Sequence, residues 1–514
     1  MSPPSIELAP TSSSVHLPSH SQQPPTSSAL AMRPQFPSKH SLSDDHYAEP
    51  PQTFSLPPTD TGKDAWMYLA AAFVVEMLVW GFPFAYGLFQ EYYSTHEPFK
   101  GESNLAVIGT CAMGLMYLSG PLVFGLLQAF PGTKRPALFV GLVIMCLSLG
   151  LSSLSQTVTQ LIATQGVLYA IGGSLVYHPT LLFMDEWFVK RKGLAFGVMW
   201  VRPIANLPVP PKQAGTGLGG VGIPLLLQHL LLTRGFRATL RIWSLALFLS
   251  TGPLLYFLKP RVPLSQTTHI RRFDLSFLIS RPFLLLQAGN ILEALGFFIP
   301  SIYLPTYARQ VLGVSGSVAA LTVILFNVAS VVGCVVVGVL TDWGWHITTI
   351  LLFSSVGTTV SVFALWGMAR SLPVLLAFCV LYGLFAGGFS STYPGVMMAV
   401  QRKLERDEAE GTRRGRGGKV DIGMGIAFLG AGRGIGNVVC GPISDLLLGK
   451  GLGGGVGLYG SGYGGLVVFT GVSKTEETGP VNAATCLFLP SFSNDRTTPI
   501  SVLSFVHLFL PPIP

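Results

Sequence analysis

From about residue 63 onward the chain repeats one pattern: an apolar run, a short polar connection, and another apolar run. Each run is about 20 residues long, the length of helix that crosses the hydrocarbon of a bilayer, and a new run starts every ~25–30 residues. Twelve spans are predicted: 66–89, 105–127, 136–154, 160–183, a fifth that starts near 194, breaks and resumes over 214–232, then 240–258, 283–307, 318–340, 348–368, 374–398, 422–448 and a Gly-rich twelfth at 456–472. The fold class that follows is an all-α integral membrane protein of about 12 transmembrane helices in two six-helix halves. Helix 5 is interrupted in it, and helix 12 is a candidate for truncation.

Composition agrees with that reading. Hydrophobic residues make up 49% of the 514 and charged residues 11%, with a mean hydropathy of +0.53. A soluble domain carries about 25% charge. The first 60 residues differ: they hold 12 Pro and 13 Ser and bury too little apolar surface to offset the entropy of ordering. The chain therefore divides into a disordered cytoplasmic tail (1–62), an N-terminal six-helix half (63–258), a central cytoplasmic loop (259–282), a C-terminal helical half (283–472) and an atypical tail (473–514).

The net charge of +8 lies in clusters between spans rather than on a recognition helix, so nucleic acid is not an expected partner. Even-numbered connections are basic: Lys134–Arg135, Lys190–Arg191–Lys192, the central loop with Lys259, Arg261, Arg271 and Arg272, and seven basic residues from Arg402 to Lys419. Odd-numbered ones are poorer, apart from Arg234, Arg237 and Arg241. By the positive-inside rule both termini face the cytoplasm, and the plasma membrane is favoured over an organelle. The six cysteines form no paired motif. No phosphate-binding loop, metal-ligand spacing or nucleophile elbow appears, so neither an enzyme nor a cofactor is expected.

Several stretches carry a family likeness: Trp80-Gly-Phe-Pro83, Tyr177-His178-Pro179 leading into Asp185-Glu-Trp-Phe-Val-Lys-Arg-Lys-Gly-Leu-Ala-Phe-Gly197, Gly296 to Tyr307, and Gly430-Ala-Gly-Arg433-Gly-Ile-Gly-Asn437. They resemble the fungal monocarboxylate-transporter-like branch of the major facilitator superfamily. The resemblance implies secondary active transport of a small organic solute, a monocarboxylate among the candidates, by alternating access and with protons as a candidate co-substrate in symport. The alternatives are a solute sensor on the same fold, or an inactive product of a faulty gene model. The superfamily's loop motif persists in part as Gly338-Val-Leu-Thr-Asp342-Trp-Gly344. Two departures stand out. Where better-known relatives carry a lysine in helix 1 and an Asp/Arg pair in helix 8, this sequence has Phe84, Asn327 and Val331.

Ionisable and polar groups inside hydrocarbon are costly and so mark function. Candidates for the substrate or proton pathway are Glu76, Tyr177, His178, Asn290, Glu293, Asn327, Arg433 and Asn437. Arg433 stands between two glycines and needs a carboxylate, with Glu293 favoured over Glu76; a helix-to-helix tether is the competing reading. His178 has a reference pKa near 6.5, and the rival role is a single ordering hydrogen bond. Asp185, Glu186, Lys190, Arg191 and Asp342 are gating-loop candidates, with a solvated cluster as the plain alternative. Tyr303 and Tyr307 read as interfacial aromatics.

One stretch fits no spanning helix: Val201–Gln213 places four prolines and two basic residues inside the fifth span. Joining Trp200 to Ala214 restores the family pattern, and Val and Gln codons suit splice borders. An untranslated segment is therefore the expectation, which sequencing of the mature transcript decides.

Overall fold

Large apolar side chains stand on the outer surface of the protein. Leu122, Phe139, Leu249, Phe353 and Leu446 stand 58–66% exposed. A soluble protein does not present apolar side chains of that size all around its helices. Lipid is the medium in which such a surface is stable, because each helix satisfies its own backbone hydrogen bonds.

The computed structural model describes residues 57–188, 215–262, 275–342, 345–410, 421–448 and 462–488, all within one compact unit, Leu56–Pro514. Nine helices among the described residues are long and apolar enough to cross a membrane. In chain order the helices are α1 (Lys63–Thr95), α2 (Leu105–Ala129), α3 (Pro131–Ser152), α4 (Val158–Met184), α5 (Gly215–Leu254), α6 (Arg281–Leu312), α7 (Gly316–Asp342), α8 (Ile347–Trp366), α9 (Leu372–Ala409), α10 (Ile422–Leu447), α11 (Gly464–Glu476) and α12 (Thr478–Phe488).

Two of these depart from the expected spans. The sequence predicts a loop around Arg234–Arg241; in the structure the two helices on either side, numbered together as α5, meet at a kink at Gly235, with φ 74° and ψ 170°. Glycine adopts that positive φ without a Cβ penalty, so one residue serves where a loop was expected. The twelfth span also differs. Its helix begins at Gly464, runs past Val472 to Glu476, and is followed directly by α12. The segment Val201–Gln213 and the tail 1–56 lie outside the described residues.

Small residues set the helix crossings. A Cβ on Gly141 would lie 2.7 Å from the Gly172 carbonyl of α4, and one on Gly387 of α9 would lie 2.3 Å from the Ser330 Cα of α7. With no hydrophobic gain from association inside lipid, such close approach supplies the packing that holds helices together. Prolines stand inside several of the helices. Pro83 lies in α1, Pro179 in α4 and Pro300 in α6. Each removes a backbone donor and opens the helix locally.

At the Thr95 end of α1 the earlier and later helices meet. The Gly87 backbone packs on the Ser301 carbonyl, Gln228 of α5 lies against Gly316 of α7, and Arg309 Nη1 donates to Glu91 Oε1 at 2.6 Å. A cavity lies between the two sets, and toward the end where α1 begins α2 and α10 still pack on each other, Phe124 and Met424 sharing a buried cluster.

Candidate functional site

The cavity has walls from both sets of helices. Its empty volume is about 1420 Å³ with the open mouth included. Glu76, Trp80 and Phe84 of α1, Tyr117 of α2, and Tyr177 and His178 of α4 form one wall. Phe297 of α6, Asn327 and Ser330 of α7, Tyr393 of α9 and Arg433 of α10 form the other. Its lining is aromatic with few polar groups, the character of a solute site rather than a water-filled pore.

Arg433 is the one cation among the residues lining the cavity. The glycines beside it do what the sequence suggested: a Cβ on Gly432 would meet the Gln287 side chain of α6, and one on Gly434 would stand 2.5 Å from the Gly114 carbonyl of α2. Without side chains there, α6 and α2 close on α10 and bury Arg433 to 2% exposure. Arg433 Nη1 donates to Glu293 Oε2 at 2.6 Å, and its guanidinium lies 4.3 Å from the Phe297 ring centre. Of the two acids weighed for this partner, Glu293 holds the position. Cation–π contact and a charge-assisted bond together offset part of the cost of burying the charge.

Glu293 has a second cation. Lys474 Nζ of α11 donates to Glu293 Oε1 at 2.7 Å, so one carboxylate lies between two positive groups that are both almost wholly buried. One turn further on, Glu477 accepts from Ser355 Oγ of α8 at 2.7 Å. Sequence reasoning missed Lys474 and Glu477 because it ended the membrane region at Val472. The signal available was their i, i+3 spacing on the helix that continues the last apolar run.

The remaining candidates divide. Asn290 bridges α10 and α9: its Nδ2 donates to the Leu429 carbonyl at 2.6 Å, and its Oδ1 accepts from Tyr393 at 2.8 Å. Asn327 and Glu76 face the cavity, buried to 7% and 5% exposure. His178 Nδ1 donates to the Ser174 carbonyl at 2.9 Å; a carbonyl can only accept, so in the neutral ring Nε2 is left as an acceptor. Tyr177 packs edge-on to Trp80 at 5.3 Å. Asn437 is fully buried but is not part of the cavity wall.

Among the gating candidates, Glu186 takes Lys134 at 3.3 Å and the backbone N–H groups of Arg261 and Val262. It thereby ties α3, α4 and the segment after α5. Lys190 and Arg191, and the side chains of Asp185 and Asp342, lie outside the described residues. The interfacial reading of Tyr303 and Tyr307 is corrected. Both are buried, Tyr303 donating to Asp445 and Tyr307 to the Ala369 carbonyl, because the far end of α6 is enclosed by α10 and the end of α8.

Comparison with known proteins follows the same lines. Residues 68–412 match the model of the Major Facilitator Superfamily. The chain belongs to that family. Similar curated proteins include the MFS-type transporter pytF of Aspergillus terreus, 31% identical over 55% of this chain and 92% of that protein. The Fujikurins efflux protein of Gibberella fujikuroi is 26% identical over 72% of this facilitator and 76% of its own length. Among solved structures, a D-xylose-proton symporter aligns with a TM-score of 0.57 at 14% identity, over 82% of this facilitator and 97% of that chain. A bacterial homolog of the human lysosomal transporter Spinster, solved inward-facing and occupied, aligns at 0.58 and 14% identity over 84% and 99%. These two likenesses establish the shared fold.

Proposed function

We propose that this facilitator is a secondary active transporter of a small organic acid, working by alternating access. Arg433 is the group that meets the acid. The single observation that carries the proposal is a buried guanidinium on the wall of a largely aromatic cavity between two sets of helices. An ionisable group kept in hydrocarbon at such cost is retained for a task, and a site between two helix sets is where rocking exposes a solute to either side in turn.

In this reading the end of the bundle at which α1 begins faces the cytoplasm, in keeping with the basic connections. The cavity is then open inward, and the Glu91–Arg309 contact belongs to the closed outer end. Movement of a proton with the acid is part of the proposal, as is residence in the plasma membrane. Glu293, held between Arg433 and Lys474, is the acid whose partners would change as a solute anion arrives and leaves.

The test is uptake of labelled organic acids into proteoliposomes containing the purified protein, with and without an imposed pH gradient. Transport predicts accumulation that a gradient accelerates and that Arg433→Gln abolishes. Saturable binding with no flux under any gradient would instead establish a sensor on this fold.

A further inference from the structure

α9 runs past the end of its apolar stretch, and a second pocket lies where it does so. No charged residue stands between Leu372 and Val400, a stretch long enough to cross hydrocarbon at a tilt. Arg402 and Lys403 follow at once, at the level where hydrocarbon gives way to headgroups. One face of this end of α9 is buried: Val396, Met397, Val400 and Leu404 share a cluster with Phe283 and Leu286 of α6 and Leu429 of α10. Another face is open and looks across at the turn between α7 and α8.

Between that face and the turn is a wedge of about 1170 Å³, open mouth included. α8 and α9 touch at Gly395, where a Cβ would come within 3.1 Å of the Ile347 side chain. Beyond the contact the lining is basic: Arg402, Lys403 and Arg406 of α9, with Met398 beside them and Trp345 and His346 from the turn. No carboxylate lines the wedge among the described residues. Lys403 is paired with Asp407 at 2.9 Å. Arg402 and Arg406, both exposed and one helical turn apart, have no hydrogen bond or ion pair among the described residues. Two uncommitted positive charges therefore line one pocket. Trp345, 51% exposed on the same wedge, is a side chain of the kind that settles at headgroup level.

The charge selects the ligand. A phosphodiester headgroup such as glycerol phosphate brings one negative charge, whereas a phosphomonoester brings close to two at neutral pH, with three acceptor oxygens. Two guanidinium groups match the second in charge and meet it through charge-assisted, forked hydrogen bonds. Met398, 39% exposed, carries the apolar surface of the wedge back toward the hydrocarbon, which a soluble phosphate would leave uncovered.

We propose that this wedge binds a phospholipid with a phosphomonoester headgroup, its phosphate on Arg402 and Arg406 and its chains passing Met398 into the bilayer. Basic pockets between spanning helices are suited to anionic headgroups. The site shares no lining residue with the solute cavity, and it stands whether or not that cavity carries a solute.

Native mass spectrometry of the delipidated full-length protein in detergent tests it, by counting bound lipid as dioleoyl phosphatidate, phosphatidylglycerol or phosphatidylcholine is added. The first phosphatidate should bind at about tenfold lower concentration than the first phosphatidylglycerol, and phosphatidylcholine should show no saturable step. Arg402→Gln with Arg406→Gln should bring phosphatidate down to the level of phosphatidylglycerol. Arg135→Gln with Arg281→Gln removes the same charge from exposed arginines at the starts of α3 and α6 and should leave the first phosphatidate unchanged. If the Arg402/Arg406 variant fails to fold, Ala399→Phe fills the wedge, keeps every charge, and should weaken phosphatidate several-fold. Equal affinity for phosphatidate and phosphatidylglycerol overturns the assignment, as does an Arg402/Arg406 variant that keeps the first phosphatidate. An equal loss in the Arg135/Arg281 variant means general attraction to basic helix ends and overturns it too. Wild-type binding by Ala399→Phe leaves a charged patch and no pocket. Displacement of the lipid by glycerol 3-phosphate at equal concentration replaces the lipid with a soluble phosphate ester and sinks the proposal.

Discussion

Two arginine–glutamate pairs in this protein have the same bond length and differ in how far the arginine is exposed. Arg309 and Glu91 meet at 2.6 Å between α6 and α1, with the arginine side chain 33% exposed and the glutamate 5% exposed. Arg433 and Glu293 also meet at 2.6 Å, between α10 and α6, with side chains 3% and 1% exposed. The first joins helices that an alternating-access cycle must separate. The second joins helices on one side of the cavity, and Lys474 is added to it. Distance alone does not distinguish them; burial and the helices they connect do. A partly solvated pair can open at little cost, whereas a pair out of water cannot lose one member without leaving an uncompensated charge.

The largest expected effect breaks the buried pair. Glu293→Gln leaves Arg433 and Lys474 with no shared carboxylate and should destabilise the protein by about 3–5 kcal/mol, read as thermal unfolding in detergent. Adding Lys474→Met should recover part of that loss. If Glu293→Gln proves no more costly than Arg309→Gln, burial is not what separates the two pairs.

Next comes the packing that keeps the buried pair from water. A side chain at Gly434 meets the Gly114 carbonyl and the Leu118 backbone, both at 2.5 Å from its Cβ, and backbone cannot swing aside. Gly434→Val should therefore cost about 1–3 kcal/mol through overpacking and reduce transport at least tenfold. Gly125, whose added Cβ would touch only Met424 at 3.9 Å, is the matched control: Gly125→Ala should transport normally. Loss at both positions would mean the bundle tolerates no added volume, rather than that the α2–α10 contact is special.

Arg309→Gln is expected to cost less stability than Glu293→Gln, because Arg309 is partly solvated, while leaving the buried Glu91 without its cation and so favouring opening at the Thr95 end. The smallest effect concerns salt. Raising ionic strength from about 0.1 M to 1 M shortens the screening length from roughly 10 Å to 3 Å. It should narrow the stability gap between wild type and Arg309→Gln and leave the cost of Glu293→Gln unchanged. An equal response at both sites would contradict the difference in solvent access between the two arginines.

Hydropathy made most of the helices legible, because a bilayer demands about 20 apolar residues whatever the tertiary structure. Arg433 was legible for a related reason: a charge in an apolar run is conspicuous. Glu293 could be chosen as its partner because acids in the spans were few. Lys474 was not legible. The stretch Ser473-Lys-Thr-Glu-Glu-Thr478 is polar enough to read as a tail, and it becomes interior only because α11 packs against α6 and α8. The Glu91–Arg309 contact joins residues more than 200 positions apart, which no local pattern encodes. Tyr303 and Tyr307 misled for the same reason, since aromatics near a span's end suit an interface until a neighbouring helix covers them.

Alternating exposure of the cavity can be followed at Cys334, which lies on its wall with Sγ 3.1 Å from the Gly387 carbonyl. With Cys334 kept as the sole cysteine and the protein reconstituted in one orientation, a membrane-impermeant thiol reagent is applied from either side. Labelling should proceed from the side of the α1 start in the wild type, and substantially from the opposite side once Arg309→Gln is introduced. A Cys334 that reacts from one side only in both proteins would show that the cavity does not change sides, and transport through it would be ruled out.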